Sequence, residues 1–290
     1  MNRTLLSILA GLGAMFGWGV SDFFANTASE KVGHIKTFFW SQLAGLALIA
    51  LCVIVMMPNF AIAPTLLGIS IFCGIAYTFG YLLFYKGFEI GNVSVVSAVI
   101  NLQTLFVVLI SFFVRGQPLT RFQMPAIALI LIGVTLVSLN FKEIFKGSIS
   151  LLSGVKETIL SAIIFGVFYW PLNEFVVEKV DWLAISFIVK FTAITLIFIR
   201  AFLTKNSLKI KKPAPKFIAV LAAIGLLEAA AVLSATFGQS YGDGIIVAPI
   251  SSALTIVTVA LAMIFLKEKV TKIQMCGIIL TIAGILLTAF

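Results

Sequence analysis

The chain has 290 residues, 61% of them hydrophobic and 11% charged, and its 20 Lys and Arg against 11 Asp and Glu give a net charge of +9. Soluble domains carry roughly 25% charged residues, so this composition excludes an ordinary soluble protein and describes a chain that lives in lipid. The basic excess does not point to nucleic acid, because no aromatic residues interleave with the lysines, and three cysteines without a Cys-x-x-Cys pair support neither a disulfide framework nor a metal site.

A bilayer core of about 30 Å needs about 20 apolar residues per helix. Ten such segments are predicted, near 4–26, 36–57, 65–86, 92–114, 122–140, 157–177, 182–203, 216–238, 244–266 and 272–290. The first begins like a signal peptide, with Arg3 ahead of Leu5–Ala14. Its apolar run continues through Phe24 with no small-residue cleavage site, so a retained helix is expected. It carries Trp18, Asp22 and Asn26 at four-residue spacing, on one helical face. That face is either a cavity wall or an interfacial belt with capping polar residues. His34, the only histidine, falls in the turn that follows and reads as interfacial.

The third segment carries Tyr77 and Tyr81 one turn apart; a phenol in lipid needs a partner or water. The fourth offers Asn101 and Gln103. The sixth contains Tyr169, Trp170, Pro171, Asn173 and Glu174. Gly166 and Asn173 align with Gly19 and Asn26, which makes Tyr169, Trp170 and Asn173 a second wall opposite Trp18, Asp22 and Asn26. Aromatic rings suit apolar or cationic parts of a substrate, and amides orient polar groups. Pro171 is expected to kink its helix and free a backbone carbonyl, and Pro249 to do so early in the ninth segment.

Lys190 sits in the middle of the seventh segment and Glu228 near the midpoint of the eighth. A charge at the bilayer centre costs at least ~2.5–3.5 kcal/mol, so both should face the bundle interior. The buried ammonium needs a carboxylate, either Glu228 or Glu174. Glu228 is then either an acid that takes and releases a proton as a cavity opens to each side, or a structural acid fixed by Lys190. Ser251 and Ser252 in the ninth segment, with Asn101, extend an inward polar surface or hold helices together.

The second half of the chain rewrites the first. Moved forward by 151 positions, Gly74–Leu136 lies on Gly225–Leu287 without a gap: Gly74, Gly87, Gly91 and Gly133 fall on Gly225, Gly238, Gly242 and Gly284, and Thr120, Gln123 and Met124 on Thr271, Gln274 and Met275. The expected fold is therefore an all-α integral membrane protein of ten transmembrane helices around a central cavity, in two five-helix repeats, 1–145 and 146–290. Because five is odd, the repeats are inverted. The candidate chemistry is not repeated. Tyr77 answers Glu228, Asp22 answers Tyr169, and no mid-span lysine answers Lys190, which places the ion-coupling candidates in the second half.

Basic residues in short loops orient membrane helices. An outside amino terminus puts fifteen of them inside and only Arg3, Arg115, Arg121 and Lys179 outside. The Lys205–Lys216 turn, with Pro213 and Pro215, reads as an extended loop facing anionic lipid.

Three stretches share the pattern of a known family. They are Trp18-Gly-Val-Ser-Asp22-Phe23, Gly91-Asn-Val-Ser-Val-Val-Ser ahead of Leu102-Gln103, and Lys267-Glu-Lys-Val-Thr-Lys-Ile-Gln-Met-Cys-Gly277 with Gly284 closing. The chain resembles, over essentially its whole length, the EamA type of the drug/metabolite transporter superfamily. The resemblance implies a ten-helix basket moving metabolites or drugs by alternating access, often outward and sometimes with a coupled ion. It also implies cytoplasmic termini, against the lysine count. The chain departs from the pattern at Gln117, where an acid is usual, and at Thr104, where a proline is usual.

The leading expectation is a secondary transporter exporting an amino acid or amphipathic metabolite, with protons as candidate coupling ion and Glu228 as their acceptor. A sugar or nucleotide-sugar carrier is the alternative. An intramembrane enzyme or lipid-handling accessory protein is the reading from another class. An enzyme would need a constellation that one peripheral His and no paired acids do not supply. With no phosphate-cradling Gly-rich loop, neither ATP nor any cofactor is expected. The expected partners are a small-molecule substrate and lipid, in a multi-pass protein of the inner cell membrane, as a monomer or weak dimer.

Overall fold

A computed structural model describes residues 3–114, 121–138, 151–211, 213–241, 247 and 250–287. With no water in the bilayer core, an apolar run satisfies its own N–H and C=O groups by becoming helix. The described elements are accordingly helical. The first half holds α1 (Arg3–Val32), α2 (His34–Met56), α3 (Pro64–Ile90), α4 (Val93–Val99), α5 (Leu102–Phe113) and α6 (Gln123–Ser138). The second holds α7 (Val155–Ile163), a π-helical turn (Ile164–Tyr169), α8 (Trp170–Val177), α9 (Trp182–Thr204), α10 (Pro215–Tyr241), α11 (Leu254–Leu261), a second π-helical turn (Ala262–Leu266) and α12 (Lys272–Leu287).

Six helical runs among the described residues are long and apolar enough to cross a membrane: α1, α2, α3, the run from α7 through α8, α9 and α10. Four shorter apolar runs, Val93–Val107, Met124–Val137, Ile250–Leu266 and Lys272–Leu287, fall on the other four predicted segments.

The boundaries differ from expectation where polar residues are buried. Helix α1 runs six residues past its predicted end and stops only at Gly33, whose φ of 86° is a conformation that glycine adopts without a Cβ penalty. Asp22 and Asn26 therefore lie well inside a helix rather than at its interfacial end. The fourth segment is two helices with a break at Ile100–Asn101, and the ninth is interrupted at Ala253, at nearly the equivalent place. At Pro171 the helix accommodates the missing N–H in an adjoining π turn, where the Trp170 N–H reaches back to the Phe165 carbonyl. The expected bend at Pro249 and the turn residues Gln117, Thr120 and Gly242 lie outside the described residues.

Equivalent helices have equal lengths: α2 and α9 have 23 residues each, α3 and α10 have 27 each. The repeats also pack symmetrically. A Cβ on Gly133 of α6 would stand 2.6 Å from the Gly277 carbonyl of α12, and one on Gly284, which repeats Gly133, would stand 2.8 Å from the carbonyl of Ala126, which Gly277 repeats. Exchanging the halves thus maps the α6–α12 contact onto itself, as a pseudo-twofold axis requires.

The turns richest in lysine gather at one end. Lys31 lies over the Phe217 ring at 5.9 Å, the Trp40 indole donates to the Leu208 carbonyl at 2.9 Å, and the His34 backbone N–H donates to Glu89 at 2.9 Å. Lys86 Nζ holds the other Glu89 oxygen at 3.0 Å. At the same end Glu268, in the turn before α12, accepts from the Ser94 hydroxyl at 2.7 Å and its backbone N–H at 3.2 Å, tying the second repeat to the start of α4.

Candidate functional site

Lys190 Nζ makes an ion pair with Glu228 Oε2, and the two side chains are 1% and 0% exposed. Of the two carboxylates considered from sequence, Glu228 is the partner. Lys190 also donates to Gln42 Oε1 at 2.5 Å and to the Tyr77 hydroxyl at 2.8 Å, while Tyr77 donates to Glu228 Oε1 at 2.5 Å. The ammonium spends its three protons on three acceptors, and both carboxylate oxygens are occupied. A buried ion pair needs this completeness to offset its desolvation.

Helices α2, α3, α9 and α10 supply one member each. Gln42 and Lys190 are both ninth in their 23-residue helices, and Tyr77 and Glu228 both fourteenth in their 27-residue helices. The tetrad is therefore two pairs of equivalent residues, each pair in direct contact across the repeats. Close backbone approach makes room for it: a Cβ on Gly225, one turn before Glu228, would stand 1.8 Å from the Ser41 carbonyl, beside Gln42. Gln42 escaped the sequence reading. It was legible as a polar residue in mid-span and, once α2 is laid on α9, as the position answering Lys190.

An aromatic ladder leads away from the tetrad. Tyr77 meets Tyr81 at 4.6 Å and Tyr169 at 5.5 Å; Tyr169 meets Trp170 at 4.8 Å, and Trp170 meets Trp18 edge-on at 5.7 Å. The predicted walls are thus brought together at Trp18 and Trp170. They touch instead of flanking an open central cavity: Trp18, Tyr81, Tyr169 and Asp22 are all under 9% exposed. The Trp170 indole donates to Gln103 Oε1 at 3.0 Å, which fixes that ring.

The remaining candidates divide. Asn26 donates to the Phe88 carbonyl at 2.8 Å and ties α1 to the end of α3. Asn173, its counterpart, is equally buried but its amide nitrogen has no partner among the described residues. Asn101 donates to Thr255 Oγ1 at 2.7 Å, and Thr255 to the Ser97 carbonyl at 2.7 Å, so the two broken helices are joined to each other. Buried Ser251 and half-buried Ser252 sit at the second break.

Two related sets of apolar helices closing on a buried, fully bonded ion pair, with helices broken at nearly equivalent points, fit the plan of a multi-pass membrane transporter. The chain belongs to the EamA-like transporter family, which it matches twice, at residues 5–139 and 152–290, and through it to the drug/metabolite transporter superfamily. Members of that family are transporters, not enzymes. A solved crystal structure of a protein 14% identical in sequence superposes with a TM-score of 0.67, over 97% of this chain and 95% of that one, a likeness of fold alone. No curated protein sequence matches the chain significantly.

Proposed function

We propose that the chain is a secondary active transporter of the inner cell membrane that exports a small organic metabolite, an amino acid or amphipathic compound, by alternating access across ten membrane-spanning helices. The observation that carries this reading is the Lys190–Glu228 pair, held with Gln42 and Tyr77 where the two repeats meet. An axis relating inverted repeats lies in the membrane plane, so groups on it sit near the bilayer centre, where transporter sites are found. In the closed arrangement Lys190 neutralises Glu228. When the repeats rock apart and water enters, the pair separates and Glu228 is the group that takes a proton.

The test is solute efflux from proteoliposomes under an imposed pH gradient, over a panel of amino acids, sugars and nucleosides. Wild-type protein should move at least one amino acid in response to the gradient, and Glu228→Gln should lose that response. Unchanged flux and pH response in the variant would refute coupling at Glu228, and flux confined to sugars would favour the carrier alternative.

A further inference from the structure

The turn that leads into α12 reads Lys267-Glu268-Lys269-Val270-Thr271-Lys272. Its one acid faces inward, where it accepts from the Ser94 hydroxyl and backbone N–H. Its three lysines are exposed, and none pairs with an acid among the described residues. A capping box fixes the end of the turn: the Thr271 N–H donates to Gln274 Oε1 at 3.0 Å, and the Gln274 N–H to Thr271 Oγ1 at 3.2 Å. Three positive charges therefore stand together on a held turn, with no described countercharge.

What adjoins them is apolar. Met263, Ile264, Phe265 and Leu266, just ahead of the turn, are exposed. Lys272, Cys276 and Ile279 share an exposed face of α12 at helical spacing, while Gly277 and Gly284, on the other face, pack against α6. Along the exposed face runs a groove of about 440 Å³, lined by Val270, Lys272, Met275, Cys276, Ile279 and Leu280. It has one charge at its start and apolar side chains over the next two turns. A border between lysines and an apolar helix face is where lipid headgroups meet hydrocarbon.

We infer that this groove is a binding site for an anionic phospholipid, its phosphate held by Lys267, Lys269 and Lys272 and one acyl chain laid along Met275, Ile279 and Leu280. Charge and shape together choose the occupant. A soluble anion would use the lysines and leave the apolar groove in contact with water or other lipid. A zwitterionic lipid would fill the groove but bring its own cation to the lysines. Because Glu268 lies between two of these lysines, a lipid bound here also steadies the turn that reaches Ser94 of α4. The site does not depend on which solute is moved, so the transporter reading stands whatever the outcome.

Its test is native mass spectrometry of the purified full chain in detergent, mixed with equal amounts of phosphatidylglycerol and phosphatidylcholine. Phosphatidylglycerol should be retained in preference. Replacing the three lysines together (Lys267→Gln, Lys269→Gln and Lys272→Gln) should weaken that retention about tenfold or more. Ile279→Trp, which fills the groove and keeps every charge, should weaken it too. Lys209→Gln with Lys211→Gln, in the other exposed lysine-rich turn, should leave it unchanged, and glycerol 1-phosphate, a headgroup charge without chains, should not displace the lipid. Thermal unfolding in detergent checks that each variant folds. The proposal is overturned by equal retention of the two lipids, by undiminished retention in the triple variant or in Ile279→Trp, or by an equal loss in the Lys209 and Lys211 variant. Displacement by glycerol 1-phosphate would also overturn it, marking a site for soluble anions instead.

Discussion

Tyr77 donates a 2.5 Å hydrogen bond to Glu228, the residue that holds its own place in the second repeat 151 positions later. Gln42 and Lys190, 148 positions apart and likewise equivalent, also touch. A residue can meet its own counterpart only on the axis that relates them. The tetrad is therefore the point about which the halves turn, and its chemistry differs between halves because symmetric lysines or symmetric acids there would place like charges in contact.

Removing one charge from the pair should be far worse than removing both. Lys190→Met leaves Glu228 buried and unpaired and should cost about 3–5 kcal/mol. The double variant Lys190→Met with Glu228→Met should recover most of that loss in thermal unfolding of detergent-solubilised protein. A double variant no more stable than the single one would sink the claim that the two act as a pair.

Because Gln42 and Lys190 occupy equivalent places, their side chains should be exchangeable. Gln42→Lys combined with Lys190→Gln still puts one ammonium beside Glu228 and Tyr77. It should melt well above Lys190→Gln alone, with a coupling of about 2 kcal/mol in a double-mutant cycle. Additive losses would show that the axis does not pass through the site.

The close approach of α2 and α10 predicts a contrast between two glycines. Gly225→Ala drives a methyl group into the Ser41 carbonyl and should cost about 3 kcal/mol or prevent folding. Gly68→Ala, with nothing within 4 Å, should be neutral or slightly stabilising. Expression level and melting temperature of the two variants, side by side, decide the matter.

At the lysine-rich end, Glu268→Ala strips the Ser94 hydroxyl and backbone N–H of their shared acceptor. The loss should be about 1–3 kcal/mol of that end's closure. Faster labelling by a water-soluble maleimide of a cysteine placed at Ser97, compared with the same cysteine beside native Glu268, is the expected readout. Equal labelling rates would mean the contact does not hold that end shut.

Asn26 and Asn173 are aligned in sequence and equally buried, yet among the described residues Asn26 donates through its amide nitrogen and Asn173 does not. Asn26→Ala should lower stability by about 1 kcal/mol or more, and Asn173→Ala by less. The reverse order of melting temperatures would contradict the asymmetry seen here.

Much of this was legible in one dimension because lipid makes polarity expensive. Lys190 and Glu228 stand out as charges in mid-span, and ammonium and carboxylate at that depth seek each other whatever the fold. The glycine pattern repeated at 151 announces two copies of one unit. Gln42 was less visible, since a lone glutamine in an apolar run is ordinary until its helix is matched to α9. Asn26 and Asn101 looked like cavity-lining groups, but an amide also satisfies backbone and hydroxyl partners on neighbouring helices, and only their placement tells which it does.

What the sequence determined by itself was the solvent, the helical class, the duplication and the pair of buried opposite charges, all consequences of residue type and local spacing. The tertiary structure decided what those residues meet. It set Tyr77 against Glu228 and Gln42 against Lys190 on a common axis, and closed the walls at Trp18 and Trp170. Such contacts depend on how helices distant in sequence cross and which faces they present, and no periodicity within a single helix encodes that.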